Sequence, residues 1–165
     1  MISIGQTVKS KVLQLLTVPN GLNSSIAAVV QEQDVPITPI DAAYFYSENV
    51  ASDIAEKATE PKYTAVYVYC EKISNVLNEK FRRFSGTIAL TIEVRVSQDR
   101  LEGMDQLAQL YADAATQTLD QNRGDWGQGL FYSGEYEVSF GPVRHGGRNF
   151  IKSAKISLQV DASVS

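Results

Sequence analysis

Between Gly86 and Ser97 the side chains alternate without a miss. Ile88, Leu90, Ile92, Val94 and Val96 fall on one side; Thr87, Ala89, Thr91, Glu93, Arg95 and Ser97 fall on the other. Successive side chains leave a strand on opposite faces, so this period of two predicts a half-buried β-strand rather than a buried helix segment. Such a strand has to bury its apolar face against something, and the chain on either side supplies partners.

After the strand, Asp99-Arg100-Leu101-Glu102 has the spacing of a capping box, with Asp99 as cap and Glu102 at the third helical position. A helix is expected from Leu101 to about Gln121. Met104, Leu107, Ala108, Tyr111, Ala115 and Leu119 form its apolar stripe, while Asp105, Gln109, Asp113, Gln117 and Asp120 face away. Gly124 to Gly129 reads as a loop with Trp126 as its anchor. Glu135–Phe140 and Phe150–Asp161 alternate again, which predicts a hairpin with a long tip around Gly146-Gly147.

Upstream, Ile4, Val8, Val12, Leu15 and Leu16 mark an amphipathic helix that Pro19-Asn20-Gly21 stops. A second helix starts at a Ser24 or Ser25 cap and ends before Pro36. Asp41–Tyr46 reads as a strand and Asn49–Lys57 as a helical turn or two. Tyr63 to Ile73 is a further strand: Thr64, Val66, Val68 and Cys70 point one way, and Tyr63, Ala65, Tyr67 and Tyr69 the other. The tyrosine face is either a second core or a surface for another subunit, since tyrosine offers apolar area with a polar tip. Phe81-Arg82-Arg83-Phe84 reads as the start of a strand with solvated arginines. The expected fold is α+β: a mostly antiparallel sheet of about four to five strands, helices on one face, and a long C-terminal hairpin. One domain spans residues 1–165, with 36–60 as an excursion from it.

The chemistry is sparse. The net charge of −4 argues against gripping nucleic acid as the main task, because phosphate contacts supply most of that affinity. One cysteine, Cys70, allows no internal disulfide and reads as a core residue. No signal peptide is visible, and no apolar run approaches the ~20 residues that cross a bilayer. Asn23-Ser24-Ser25 fits the glycosylation pattern but reads better as a helix cap. His145 is the single histidine. No metal-ligand spacing, nucleophile elbow, P-loop or dinucleotide fingerprint occurs, and Glu135 and Glu137 lie on a solvent face. The chain reads as no enzyme, with no cofactor and no metal. Charge is unevenly placed: Leu101–Trp126 carries five acids and one base, whereas Gly141–Lys155 carries four bases and no acid.

Two short N-terminal helices, strands, the strand ending "FSGTIALTIEVRVSQDR", the helix "LEGMDQLAQLYADAATQTL" and a C-terminal hairpin follow in order. This layout resembles the tail terminator and head–tail joining (neck) proteins of tailed bacteriophages, most closely from Tyr63 to Val160. Residues 36–60 fit it least. The resemblance implies a virion protein of the tail or neck, assembled in the bacterial host cytoplasm. It implies closed rings, commonly hexamers, on the head-proximal end of the tail. Such a ring ends tube growth, contacts the tail tube protein and the head-completion or neck protein, and lets genomic DNA pass without sequence recognition. Another virion joint or a tube component is the alternative, and a small enzyme or ligand-binding domain a more distant one. Under this reading Arg144, His145, Arg148 and Lys152 are candidates for inter-subunit or DNA-facing contacts. Tyr67, Tyr69, Asp105, Asp113 and Asp120 are candidates for the subunit interface.

Overall fold

The computed structural model describes residues 3–49, 64–146 and 149–165. Its spine is an antiparallel pair of long strands, β3 (Phe84–Gln98) and β8 (Asn149–Val164), joined over their whole length from Phe84↔Val164 to Gln98↔Phe150. On the far side of β3 lies β2 (Ala65–Asn75), antiparallel to it, with the two-residue strand β1 (Phe45–Tyr46) parallel at the margin. On the far side of β8 three short strands follow one another along its length. These are β5 (Leu130–Tyr132), β6 (Tyr136–Phe140) and β7 (Arg144–Gly146), and β4 (Gly124–Gly127) pairs outside β5.

The fold is therefore α+β, with the expected C-terminal hairpin and an almost wholly antiparallel sheet. Among the described residues the sheet has eight strands rather than four or five. A strand of sixteen residues has room for three short partners in line; β6 showed its alternation in the sequence, but β5 and β7, three residues each, are too short to do so. The segment from Gly124 to Gly129, expected as loop, is the β4–β5 hairpin. Gly129 turns there at φ 79, where a Cβ would stand 2.1 Å from the Ser163 carbonyl. The long hairpin tip is also shorter than expected, because β7 pairs Arg144 with Ile151 and His145 with Phe150.

Three helices cover one face. α1 (Ile4–Thr17) lies on β2 and β3, α3 (Met104–Asp120) lies on β3 and β8, and α2 (Leu22–Gln33) packs mainly on α3. The core they close contains the full even-numbered row of β3 from Ile88 to Val96, with Ile156, Leu158 and Val160 of β8. α3 buries more than its expected stripe. Leu110, Ala112, Ala114 and Thr118 are buried as well, because α2 occupies its second side and small residues let the helices approach.

Two helix starts differ from expectation. α2 begins at Leu22 behind Gly21, with no side-chain cap. Ser25 is buried and shares a 2.7 Å hydrogen bond with Thr118, while Asn23 clamps the Ile40 backbone in both directions at 2.8 Å. α3 begins at Met104 behind Gly103 at φ 78, so the Asp99–Glu102 capping box does not form. Instead Gln98 donates to the carbonyls of Arg100 and Glu102, both at 2.6 Å. β3 runs straight into this turn, and the left-handed residue reverses the chain in place of a side-chain cap.

Asp41–Tyr46 is a 3-10 turn, Ala42–Tyr44, followed by β1 rather than one strand. The helical turns expected at Asn49–Lys57 lie outside the described residues from position 50 onward. Among the described residues no helix is long and apolar enough to cross a membrane.

Candidate functional site

The strand register that buries Val66 and Val68 under the helices turns Tyr67 and Tyr69 to the opposite face of the sheet. There they meet the odd-numbered row of β3, which carries Thr91, Glu93 and Arg95. That row is buried: Thr91 is 1 % exposed, Glu93 4 % and Arg95 8 %. The expectation of a half-buried strand fails here, because the second face is covered as well. Arg95 Nε pairs with Glu93 Oε2, and the Arg95 guanidinium lies 4.0 Å over the Tyr67 ring. Tyr46 of β1 stacks on the other side of that ring, 4.9 Å between centroids.

Glu93 is satisfied from four directions. Besides Arg95, Tyr69 Oη donates to Oε1 at 2.9 Å, Ser153 Oγ donates to Oε2 at 3.2 Å, and Lys155 Nζ stands 3.9 Å from Oε1. Burial alone would push this carboxyl up. The hydrogen bond and charge of Arg95, helped by Tyr69 and Lys155, outweigh it and hold the group below its ordinary range. The same burial and the facing carboxylate push the Tyr69 hydroxyl far up. Beside this cluster Thr91 Oγ1 donates to Glu71 at 2.8 Å.

This network is the part of the site that sequence reading missed. The expectation of a half-buried strand left Glu93 and Arg95 on its open side. The available signal was the neighbouring Tyr67-x-Tyr69 on the same face. The tyrosine face is thus an aromatic and ionic layer within one subunit. With Tyr67 at 8 % and Tyr69 at 4 % exposure, almost none of their surface is left for a second subunit.

The charged elements are also closer together than their separation in sequence implies. Lys152 on β8 reaches Asp105 at the start of α3, Nζ to Oδ1 2.6 Å, with the lysine side chain only 12 % exposed. The basic hairpin and the acidic helix therefore meet inside the subunit at this point. Asp120 pairs with Arg123 at 2.7 Å. Asp113 stands apart from both: burial and the nearby Glu32 carboxylate push its carboxyl above the ordinary range. Arg144 and His145 are exposed on β7, where the His145 ring meets Phe150 edge-on at 5.4 Å. Arg148 lies outside the described residues.

Trp126 is the expected anchor: its Nε1 donates to the Asn122 carbonyl at 2.7 Å, and its ring leans on Tyr132 at 5.4 Å. Cys70 is half-buried against the core, and burial pushes its thiol up. Among the described residues no three His, Cys, Asp or Glu side chains gather as metal ligands would. A shallow groove of about 600 Å³ on the polar face, lined in part by Arg123, Glu135, Glu137 and Gln159, opens to solvent without a convergent catalytic set. No protein-family model matches the chain, and no curated protein matches it.

Proposed function

We propose that the chain is a structural protein of a bacteriophage virion. Copies of it close into a ring at the head-proximal end of the tail, where the ring ends tube growth and joins the tail to the head or neck. The role requires fit rather than turnover, and it needs no cofactor or metal.

One observation carries the reading. The layout that the family resemblance implies runs through the described chain: an antiparallel sheet on two long paired strands, helices on one face and a C-terminal hairpin. The second face is filled by a buried ion pair and tyrosines, so the lateral edges of the sheet are the surfaces left for neighbouring copies. A contact repeated between two different surfaces closes into a ring when its rotation allows. In such a ring Arg144, exposed on the hairpin, is a candidate for facing passing DNA through non-specific phosphate contacts.

Light scattering with negative-stain imaging of the purified chain tests the reading. Discrete rings, or mass that rises with concentration to a plateau, are expected. Long filaments point instead to a tube component. A subunit that stays monomeric at high concentration defeats the assembly role.

A further inference from the structure

Nine large apolar side chains are exposed among the described residues, and seven of them lie at two opposite margins of the sheet. The first margin is the end of β2 and the loop that follows it. Ile73 is 47 % exposed, Val76 61 %, Leu77 58 % and Phe81 100 %. This loop is pinned in place. Asn75 Oδ1 accepts from the backbone of Leu77 at 3.3 Å and of Ser85 at 3.1 Å, Ser85 Oγ accepts from the Glu79 backbone at 3.2 Å, and Ser163 donates to Glu79 at 2.8 Å. Leu77 and Phe81 are held at φ 50 and φ 67, a region that residues other than glycine avoid. The chain thus holds apolar side chains in water on a structured loop, at a cost that its own packing does not repay.

The second margin is β4, β5 and β6, beyond β8. Phe131 is 49 % exposed, Val138 37 % and Phe140 44 %. The outer edge of β6 has no strand beside it among the described residues, so its backbone groups are open to pairing.

The two margins match in charge and in height. From Glu71 to Arg83 the first has Lys72, Lys80, Arg82 and Arg83 against Glu71 and Glu79, a net +2. From Asp125 to Phe140 the second has Asp125, Glu135 and Glu137 and no base, a net −3. Register fixes the heights. Ser74 is level with Thr87, Asp161 and Phe131 across the sheet, and Cys70 with Leu90, Leu158 and Tyr136. Two copies placed side by side with their sheets in line therefore bring the apolar loop of one to the Phe131 level of the other. They also bring Lys72 to the neighbourhood of Glu135.

We infer that the β2–β3 loop margin of one copy docks on the β4–β5–β6 margin of the next. Apolar side chains are buried between them and the basic loop faces the acidic strands. The contact is heterologous: it joins two different surfaces, so each copy keeps one of each free for further neighbours. The inference rests on the ring reading and names the surfaces that make the ring. Those surfaces are not the acidic helix, whose Asp105 and Asp120 already have partners within the subunit.

Two variants and their mixture decide the matter by mass in solution. L77E/F81E disables the loop margin and F131E/V138E the strand margin, all at exposed positions. Each alone should be monomeric at concentrations where the unsubstituted chain is oligomeric. Mixed one to one, they should form a two-chain species and nothing larger, because each retains one intact surface. If either pair unfolds by circular dichroism, the charge reversals K72E/K80E and E135K/E137K replace them: each alone should be monomeric, and the mixture should assemble beyond two chains, because the two reversed surfaces are complementary to each other as well. An unsubstituted chain that is oligomeric, with variants of unchanged mass, overturns the surface assignment and leaves the ring reading standing. Variants that stay monomeric when mixed overturn the heterologous contact. An unsubstituted chain that is monomeric throughout overturns both.

Discussion

Replacing Arg95 by Met isolates the energetics of the polar layer. Methionine keeps most of the aliphatic stem but removes the guanidinium, and with it both the charge that faces Glu93 and the contact over the Tyr67 ring. The carboxylate, 4 % exposed, then keeps the Tyr69 and Ser153 hydroxyls at 2.9 and 3.2 Å and a half-exposed Lys155 at 3.9 Å. Removing one partner of a buried pair costs about 3–5 kcal/mol, mostly because the other charge is left uncompensated. The contacts that remain place this case at the lower end, about 3 kcal/mol, or roughly 6–12 °C in Tm for a chain of this size. The loss should depend on pH. In the parent the carboxyl sits below its ordinary value of 4.5, so its contribution is present above that value and is lost as pH falls through the lowered one. Without Arg95, burial dominates and raises the carboxyl, so acid relieves the variant while it weakens the parent. Urea unfolding at pH 7 and pH 4 should show the gap between the two narrowing at the lower pH. The double variant Glu93→Gln/Arg95→Met should return to within about 1 kcal/mol of the parent. A loss below about 1 kcal/mol at pH 7, or an equal gap at both pH values, refutes the claim that the ion pair governs this face.

Three further outcomes are expected. Gly86→Ala would place a Cβ 1.8 Å from the Ser74 carbonyl across the β2–β3 pairing, so it should cost about 3 kcal/mol in chemical unfolding; a neutral result means the strands part there freely. Ser25→Ala should cost about 1 kcal/mol, while Ser25→Ala with Thr118→Val should lose less than the sum of the singles, read as the coupling in a double-mutant cycle. Burial raises the Tyr132 hydroxyl to about 12, so the stability it contributes is complete below its ordinary 10.0 and lost as pH rises through about 12. Tyr132→Phe should reduce the alkaline loss in thermal scans, leaving the share of the other buried tyrosines, and remove one late-titrating tyrosine from the ultraviolet titration.

Elements whose side chains repeat over many residues were legible in the chain alone. The β3 alternation, the α1 spacing, the stripe on α3 and the even row of β8 were legible because a long period leaves one reading. It also carried the stop at Pro19-Asn20-Gly21 and the anchoring role of Trp126. What each face touches was set by the folded packing. Glu93 and Arg95 fell on the second side of a strand expected to be half-buried until Tyr67 and Tyr69 of another strand covered them. Ser25 read as a cap until it met Thr118, ninety-three residues away in sequence. Lys152 and Asp105 belonged to a basic and an acidic stretch far apart in sequence until β8 ran past the start of α3. Periodicity is local and survives in the chain alone, whereas pairing between strands and burial of a second face are set by residues distant in sequence. The exposed margins follow the same logic: Phe81 and Phe131 are ordinary apolar letters until the sheet register puts them at matching heights on opposite edges.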